Sequence, residues 1–127
     1  MYKEGSEMRL NLIRERFGIP NAILDVGAHR GQFFTWSKKV WPDTPIWMIE
    51  ANEIHEPYLK ELCSKYNDQY LISTLGDSNR NVNFYTRSDK PKTEGASYYK
   101  ETTYWDIPHL VKEIPKTLQT LDELFEE

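Results

Sequence analysis

The apolar positions of this chain alternate between helical spacing and short continuous runs. Over residues 8–17, Leu10, Ile13 and Phe17 fall at i, i+3 and i+7 among Arg9, Arg14, Glu15 and Arg16, the pattern of an amphipathic helix, which Gly18 and Pro20 end. Ala22-Ile23-Leu24-Asp25-Val26 is nearly continuous and bounded by turn residues, which predicts a strand buried on both faces of a parallel sheet. Gly27-Ala28-His29-Arg30-Gly31 follows as a glycine turn. Phe33, Trp36 and Val40 then predict a helix over 32–40, stopped by Pro42. Pro45 to Ile49 is a second buried-strand run and finishes on an acid, Glu50. Ile54, Tyr58, Leu59, Leu62 and Tyr66 share one face of a helix over 54–66, with Pro57 tolerated in its first turn. Tyr70 to Thr74 reads as a third strand. Strands alternating with helices in the order βαβαβ predict right-handed crossovers and a parallel sheet.

After Gly76-Asp77 the alternation stops, and Val82 to Thr86 has the period-two pattern of a solvent-facing, antiparallel strand. Residues 90–95, with Pro91 and Gly95, read as a loop, and Ala96 to Lys100 as a weaker strand. Thr120-Leu121-Asp122-Glu123 has capping-box spacing and opens a last helix at Leu121. There is no internal repeat, low-complexity stretch or linker, and 127 residues suit one domain.

Charge and cysteine content narrow the partners. Sixteen Lys and Arg against 20 Asp and Glu give a net charge of −4, the wrong sign for a basic nucleic-acid face. Cys63 is the single cysteine, so an internal disulfide is excluded. No apolar run approaches the ~20 residues that span a bilayer, and the opening residues lack a secretory apolar core, so the expectation is a cytoplasmic protein without a membrane partner.

The segment that carries chemistry is Asp25-Val26-Gly27-Ala28-His29-Arg30-Gly31 at the end of the first strand, with Glu50 at the end of the second. In an open α/β sheet, ligands bind outside the carboxyl ends of the strands, where a glycine turn admits close approach to the backbone. An acid at the second strand's tip can accept both hydroxyls of a ribose, so the pattern predicts a nucleoside site. A dinucleotide site wants G-x-G-x-x-G, and here His29 and Gln32 stand at the second and third glycine positions. The pattern suits S-adenosylmethionine, which has no phosphate, better than NAD. The plain alternative is an ordinary βα turn with an unliganded strand-end acid.

Ile23 to Phe33, then Ile49-Glu50-Ala51-Asn52, Leu75-Gly76-Asp77 before Val82 to Tyr85, Gly95-Ala96-Ser97, and Thr120 to Leu124 resemble, in order, the FkbM family of S-adenosylmethionine-dependent methyltransferases. The resemblance covers most of residues 22–125. It implies a Rossmann-like class I methyltransferase fold, with parallel strands, flanking helices and an antiparallel extension. The activity implied is O-methylation of a hydroxyl on a sugar or natural product, a small-molecule or glycan acceptor. It also implies cofactor contacts at Asp25, Gly27, Ala28, His29 and Gly31 around the methionine end. Glu50 would hold the ribose, followed by Ala51 and Asn52, and Thr74 and Leu75 would border the adenine. His29 stands where the family more often has Asn. The family's next block, an acidic I-D-x-E-G strand, falls beyond Glu127, so the resemblance implies a truncated fold. Its first strand would lose a neighbour and become an exposed edge, open to self-association or to a complementing chain. No residue is assigned as the general base. A non-catalytic nucleoside-binding or association module is the alternative.

The remaining candidates have plain readings. His29, His55 and His109 lack the short spacing of a zinc site, so no metal is expected, and the bland reading puts them on the surface or in loops. Trp36 and Trp47 read as packing, whereas Tyr98, Tyr99, Tyr104 and Trp105 are candidates to touch an acceptor. Cys63 reads as a buried small hydrophobe, and Lys38-Lys39 as solvated surface.

Overall fold

The computed structural model describes residues 2–87 and 111–125, and the side chains within 5–86 and 112–125. Two compact units form: one contains the chain up to Glu50 together with His55–Leu71, the other Ala51–Ile54 together with the chain from Ile72 onward.

The elements of the first unit follow in chain order as α1 (Tyr2–Phe17), β1 (Ile23–Val26), α2 (Gln32–Val40) and β2 (Ile46–Glu50). His55, the last residue of a 3-10 turn (Glu53–His55), α3 (Glu56–Tyr66) and β3 (Gln69–Ile72) up to Leu71 complete the series. The three strands form a parallel sheet in the order β1-β2-β3, with Ile23 opposite Ile46 and Val26 opposite Ile49. The alternation of strand and helix therefore produces the α/β arrangement that the pattern predicts. Central β2 buries Ile46, Met48 and Ile49, as a strand covered on both faces must.

Among the described residues β1 is an edge strand, as the resemblance implies, but it is not buried on both faces, as its apolar run predicts. Among the described residues it pairs only with β2, and Leu24 and Val26 are 40% and 56% exposed while Asp25 is buried. Alternate residues point to opposite faces, so Leu24 and Val26 share one face of an edge strand and only the other face is covered.

The helices also turn differently from their apolar spacing. Among the described side chains of α1 only Leu10 is buried, packed on Val40 and Trp41, while Ile13 and Phe17 are exposed. Polar anchors hold the helix instead. Arg14 Nη1 donates to the Val40 carbonyl, and Lys39 Nζ lies 2.8 Å from Glu7 Oε1. In α2 the buried face is Phe34, Ser37, Lys38 and Val40, and Phe33 is exposed. This helix packs on two sides: Val40, with Trp36 beside it, meets α1, while Phe34 stacks edge-on against Tyr66 of α3. Lys38 is not solvated surface. Its ammonium lies 2.7 Å from Asp68 Oδ2 and donates to the Thr44 carbonyl at 2.9 Å, with both side chains of the ion pair buried. Asp68 Oδ1 in turn accepts from the Ile46 N–H, so the pair ties α2 to the start of β2.

The expected strand over 70–74 is divided. β3 ends at Ile72, and after Ser73 a new strand, β4 (Thr74–Leu75), belongs to a second sheet. That sheet, in the second unit, has the order β4-β6-β5, with β5 spanning Asn81–Arg87 and β6 spanning Val111–Gln119. β4 runs parallel to β6, and β5 antiparallel to it. The period-two reading of β5 is realised, since Phe84 and Thr86 are buried while Asn81 and Asn83 are exposed. β6 was not expected, because Pro115 interrupts it. The Leu118 N–H donates to the Arg80 carbonyl, and alternation then turns the nitrogen of Pro115, opposite Asn83, away from β5. The missing N–H costs that pairing nothing. A last helix, α4 (Leu121–Leu124), starts where the capping box predicts, with Thr120 Oγ1 accepting the Glu123 N–H at 3.2 Å. The loop over 90–95 and the strand over 96–100 lie outside the described residues.

Candidate functional site

The turn after β1 owes its shape to three residues with left-handed backbone at alternate positions: Gly27 (φ 79°), His29 (φ 55°) and Gly31 (φ 84°). Glycine adopts this region freely, and histidine is among the few side chains enriched there, along with Asn. The residue type at 29 is thus one the backbone tolerates. The turn wraps the end of β2: the N–H groups of Gly27 and Ala28 donate to the Ile49 carbonyl at 2.8 and 3.1 Å, and the His29 N–H donates to Glu50 Oε1 at 2.8 Å. The loop backbone therefore orients the strand-end carboxylate.

The two glycines differ in surroundings. A Cβ on Gly31 would run into Leu62 Cδ1, with Met48 Sδ 3.7 Å away, so this glycine lets α2 start close against α3 and the sheet. A Cβ on Gly27 would meet nothing within 4 Å among the described residues. Open space lies over the backbone there, as a ligand crossing the turn requires.

Asp25, Ala28, His29 and Glu50 are all buried. Among the described residues the Asp25 Oδ2 atom has no hydrogen-bond partner, and burial, with the charge of Glu50 added, pushes the Asp25 carboxyl up to about 6. Two histidines join this cluster. His55, in the 3-10 turn, is 1% exposed, and its ring centroid lies 4.0 Å from that of His29. Both histidines are therefore interior, contrary to the surface reading. Gln32 Oε1 accepts from the Arg30 N–H, which directs Nε2 to His29 Nδ1 at 3.3 Å, so Nδ1 is the accepting nitrogen. Gln32 and His55 are both noted in the sequence, but neither is assigned to the site from it. Their spacing to Asp25 and Glu50 carries no motif, and only the fold brings them in.

Asp25, Gly27, Ala28, His29, Gly31 and Glu50 thus come together in the first unit. Ala51, Asn52, Thr74 and Leu75 belong to the second. There Asn52 is buried, with Oδ1 accepting the Ile54 N–H at 3.3 Å, and Ala51 is half-buried. Thr74 and Leu75 pair with Leu118 and Gln119 of β6, and Ser73 Oγ donates to Gln119 Oε1 at 2.7 Å. A Cβ on Gly76 would sit 2.5 Å from Leu118 Cδ1, so the turn after β4 presses against the β6 core.

Of the other candidates, Cys63 is buried, and burial pushes its thiol up to about 11, as for an inert core residue. Trp36 packs beside the Leu10, Val40 and Trp41 cluster, and Trp47 is half-buried. His109, Tyr98, Tyr99, Tyr104 and Trp105 lie outside the described residues. Among the described residues no group of three or more His, Cys, Asp and Glu is arranged to hold a metal ion, and no helix is long and apolar enough to cross a membrane. The chain matches no protein-family model and no curated protein.

Proposed function

We propose that the chain is an S-adenosylmethionine-binding domain of a methyltransferase that modifies a hydroxyl oxygen, as its resemblance to the FkbM family implies. The observation that carries this reading is the junction of the β1 turn with Glu50. A glycine turn with open space over Gly27 stands at the carboxyl ends of two adjacent parallel strands, beside a buried carboxylate oriented by the His29 N–H. The donor groups suit the cofactor. Glu50 would accept from the ribose hydroxyls, the space over Gly27 would admit the methionine end, and Asp25 Oδ2, which has no hydrogen-bond partner among the described residues, would meet its ammonium. When bound, the cofactor supplies an electrophilic methyl group on a sulfonium. The residues of this chain bind and orient it, which is the larger part of what such a transfer needs. A glycan or small-molecule acceptor and a cytoplasmic location complete the proposal.

Calorimetry with S-adenosylhomocysteine and with NAD tests it. S-adenosylhomocysteine should bind in preference, and Glu50→Ala should weaken it by about 1.5 to 3 kcal/mol, the range for hydrogen bonds to a charged group. Unchanged affinity in a folded Glu50→Ala variant would move the ribose contact elsewhere. A second reading, a binding module that works by association, is favoured by the exposed apolar edge of β1. A folded chain that binds the cofactor but transfers no methyl group to any hydroxylated acceptor would support it.

A further inference from the structure

Asp25 and Glu50 lie at the carboxyl ends of adjacent strands, both are 8% exposed, and the charge of Glu50 bears on Asp25. They are not equivalent. Glu50 Oε1 receives the His29 N–H, whereas Asp25 Oδ2 is buried with no hydrogen-bond partner among the described residues. Among the described residues the other titratable groups packed at this end of the strands are His29 in the turn and His55 in the 3-10 turn, whose rings meet at a 43° tilt with centroids 4.0 Å apart. Arg30 is exposed and lays its guanidinium over the Tyr58 ring at 5.9 Å. A buried carboxylate with an empty oxygen is costly, and a proton removes the charge. A cationic ligand group removes the cost as well, by pairing with the ionised form.

We propose that Asp25 holds a proton in the ligand-free protein and releases it to solvent when a cationic group of the ligand docks on Oδ2, so that ligand affinity falls as the pH is lowered. The inference rests on the cofactor reading, in which the cationic group is the α-ammonium of the amino acid end. With the Asp25 carboxyl held up to about 6 in the ligand-free state, the ionised fraction at pH 5 is about one tenth, and apparent affinity falls about tenfold between pH 8 and pH 5. Proton release on binding approaches one per site below pH 5.5 and vanishes above pH 7. A pH dependence from any other group would not disappear on neutralising residue 25.

The experiment is calorimetry of S-adenosylhomocysteine between pH 5 and 8 in two buffers of different ionisation enthalpy, on the unaltered chain and on Asp25→Asn. Carbon-detected NMR of the Asp25 carboxyl, with and without the ligand, is recorded alongside. Proton release at pH 5.5 that Asp25→Asn abolishes supports the proposal. So does a carboxyl that titrates near 6 alone and well below it in the complex, a measurement that stands even where the variant does not fold. Binding without proton release at pH 5.5, or release that persists in Asp25→Asn, overturns this inference and leaves the cofactor reading intact. Absence of binding at every pH overturns both.

Discussion

Asp25 sits in β1, next to the glycine turn, where burial and ionisation oppose each other, and its effect on stability has a definite sign. Its folded-state value of about 6 lies above the unfolded 3.8, so between these values the folded chain holds a proton that the unfolded chain has lost. The favourable contribution is complete below about pH 4 and is lost as the pH rises through 6. The interval corresponds to about 3 kcal/mol. Asp25→Asn should therefore unfold at higher urea than the unaltered chain at pH 7, with the difference closing towards pH 4; equal midpoints at pH 7 would contradict the burial argument. The glycines of the same turn allow a sharper comparison. Both have left-handed backbone, which costs an alanine roughly 1–2 kcal/mol. At Gly31 an added methyl also collides with Leu62, worth about 1–3 kcal/mol more. Gly31→Ala should thus lose more stability than Gly27→Ala in parallel denaturant titrations. Gly27→Val should retain a native-like circular dichroism spectrum and lose binding of S-adenosylhomocysteine.

At the scale of elements, the buried Lys38–Asp68 pair joins α2 to the segment before β3 and to the first residue of β2. Removing one partner leaves a buried charge uncompensated, which costs roughly 3–5 kcal/mol. Lys38→Met should lower stability by about that amount in urea denaturation. Adding Asp68→Asn should recover most of the loss, because the amide keeps an acceptor for the Ile46 N–H without the charge. If Lys38→Met unfolds like the unaltered chain, the pair is only a solvated contact, as its place in a Lys-Lys sequence suggests. Element boundaries were otherwise legible where local chemistry decides them. Gly18, Pro42 and Thr120 mark ends or starts that the structure reproduces, while Pro115 hid β6, whose acceptability depends on which side of the strand its nitrogen faces.

For the whole molecule, the exposed edge of β1 is the feature with most consequence. Among the described residues nothing pairs with the outer side of Ile23 to Val26, Leu24 and Val26 are exposed, and such an edge is a template for pairing. The expectation is that the chain self-associates through this edge or, as a monomer, transfers no methyl group. Light scattering over a concentration series, with a transfer assay on hydroxylated sugars, checks it. Leu24→Lys, which places a charge on the edge, should reduce any association. A stable monomer that methylates an acceptor would sink the idea.

The sequence by itself determined the alternation of strands and helices, the parallel sheet, the glycine turn and the strand-end acid, because hydrophobic period, turn chemistry and capping are local. It did not determine which helix faces are buried. Ile13 and Phe17 read as core and are exposed, while Lys38 reads as surface and is buried, because Arg14, Glu7 and Asp68 meet their partners only across the fold. The same holds within the site. Asp25, Gly27 and Glu50 were visible from spacing, whereas the meeting of the His55 and His29 rings, the Gln32 contact and the empty oxygen of Asp25 depend on residues up to 30 positions apart being packed at one end of the sheet. Burial is a property of what surrounds a residue in space, and for these side chains tertiary packing alone supplied it.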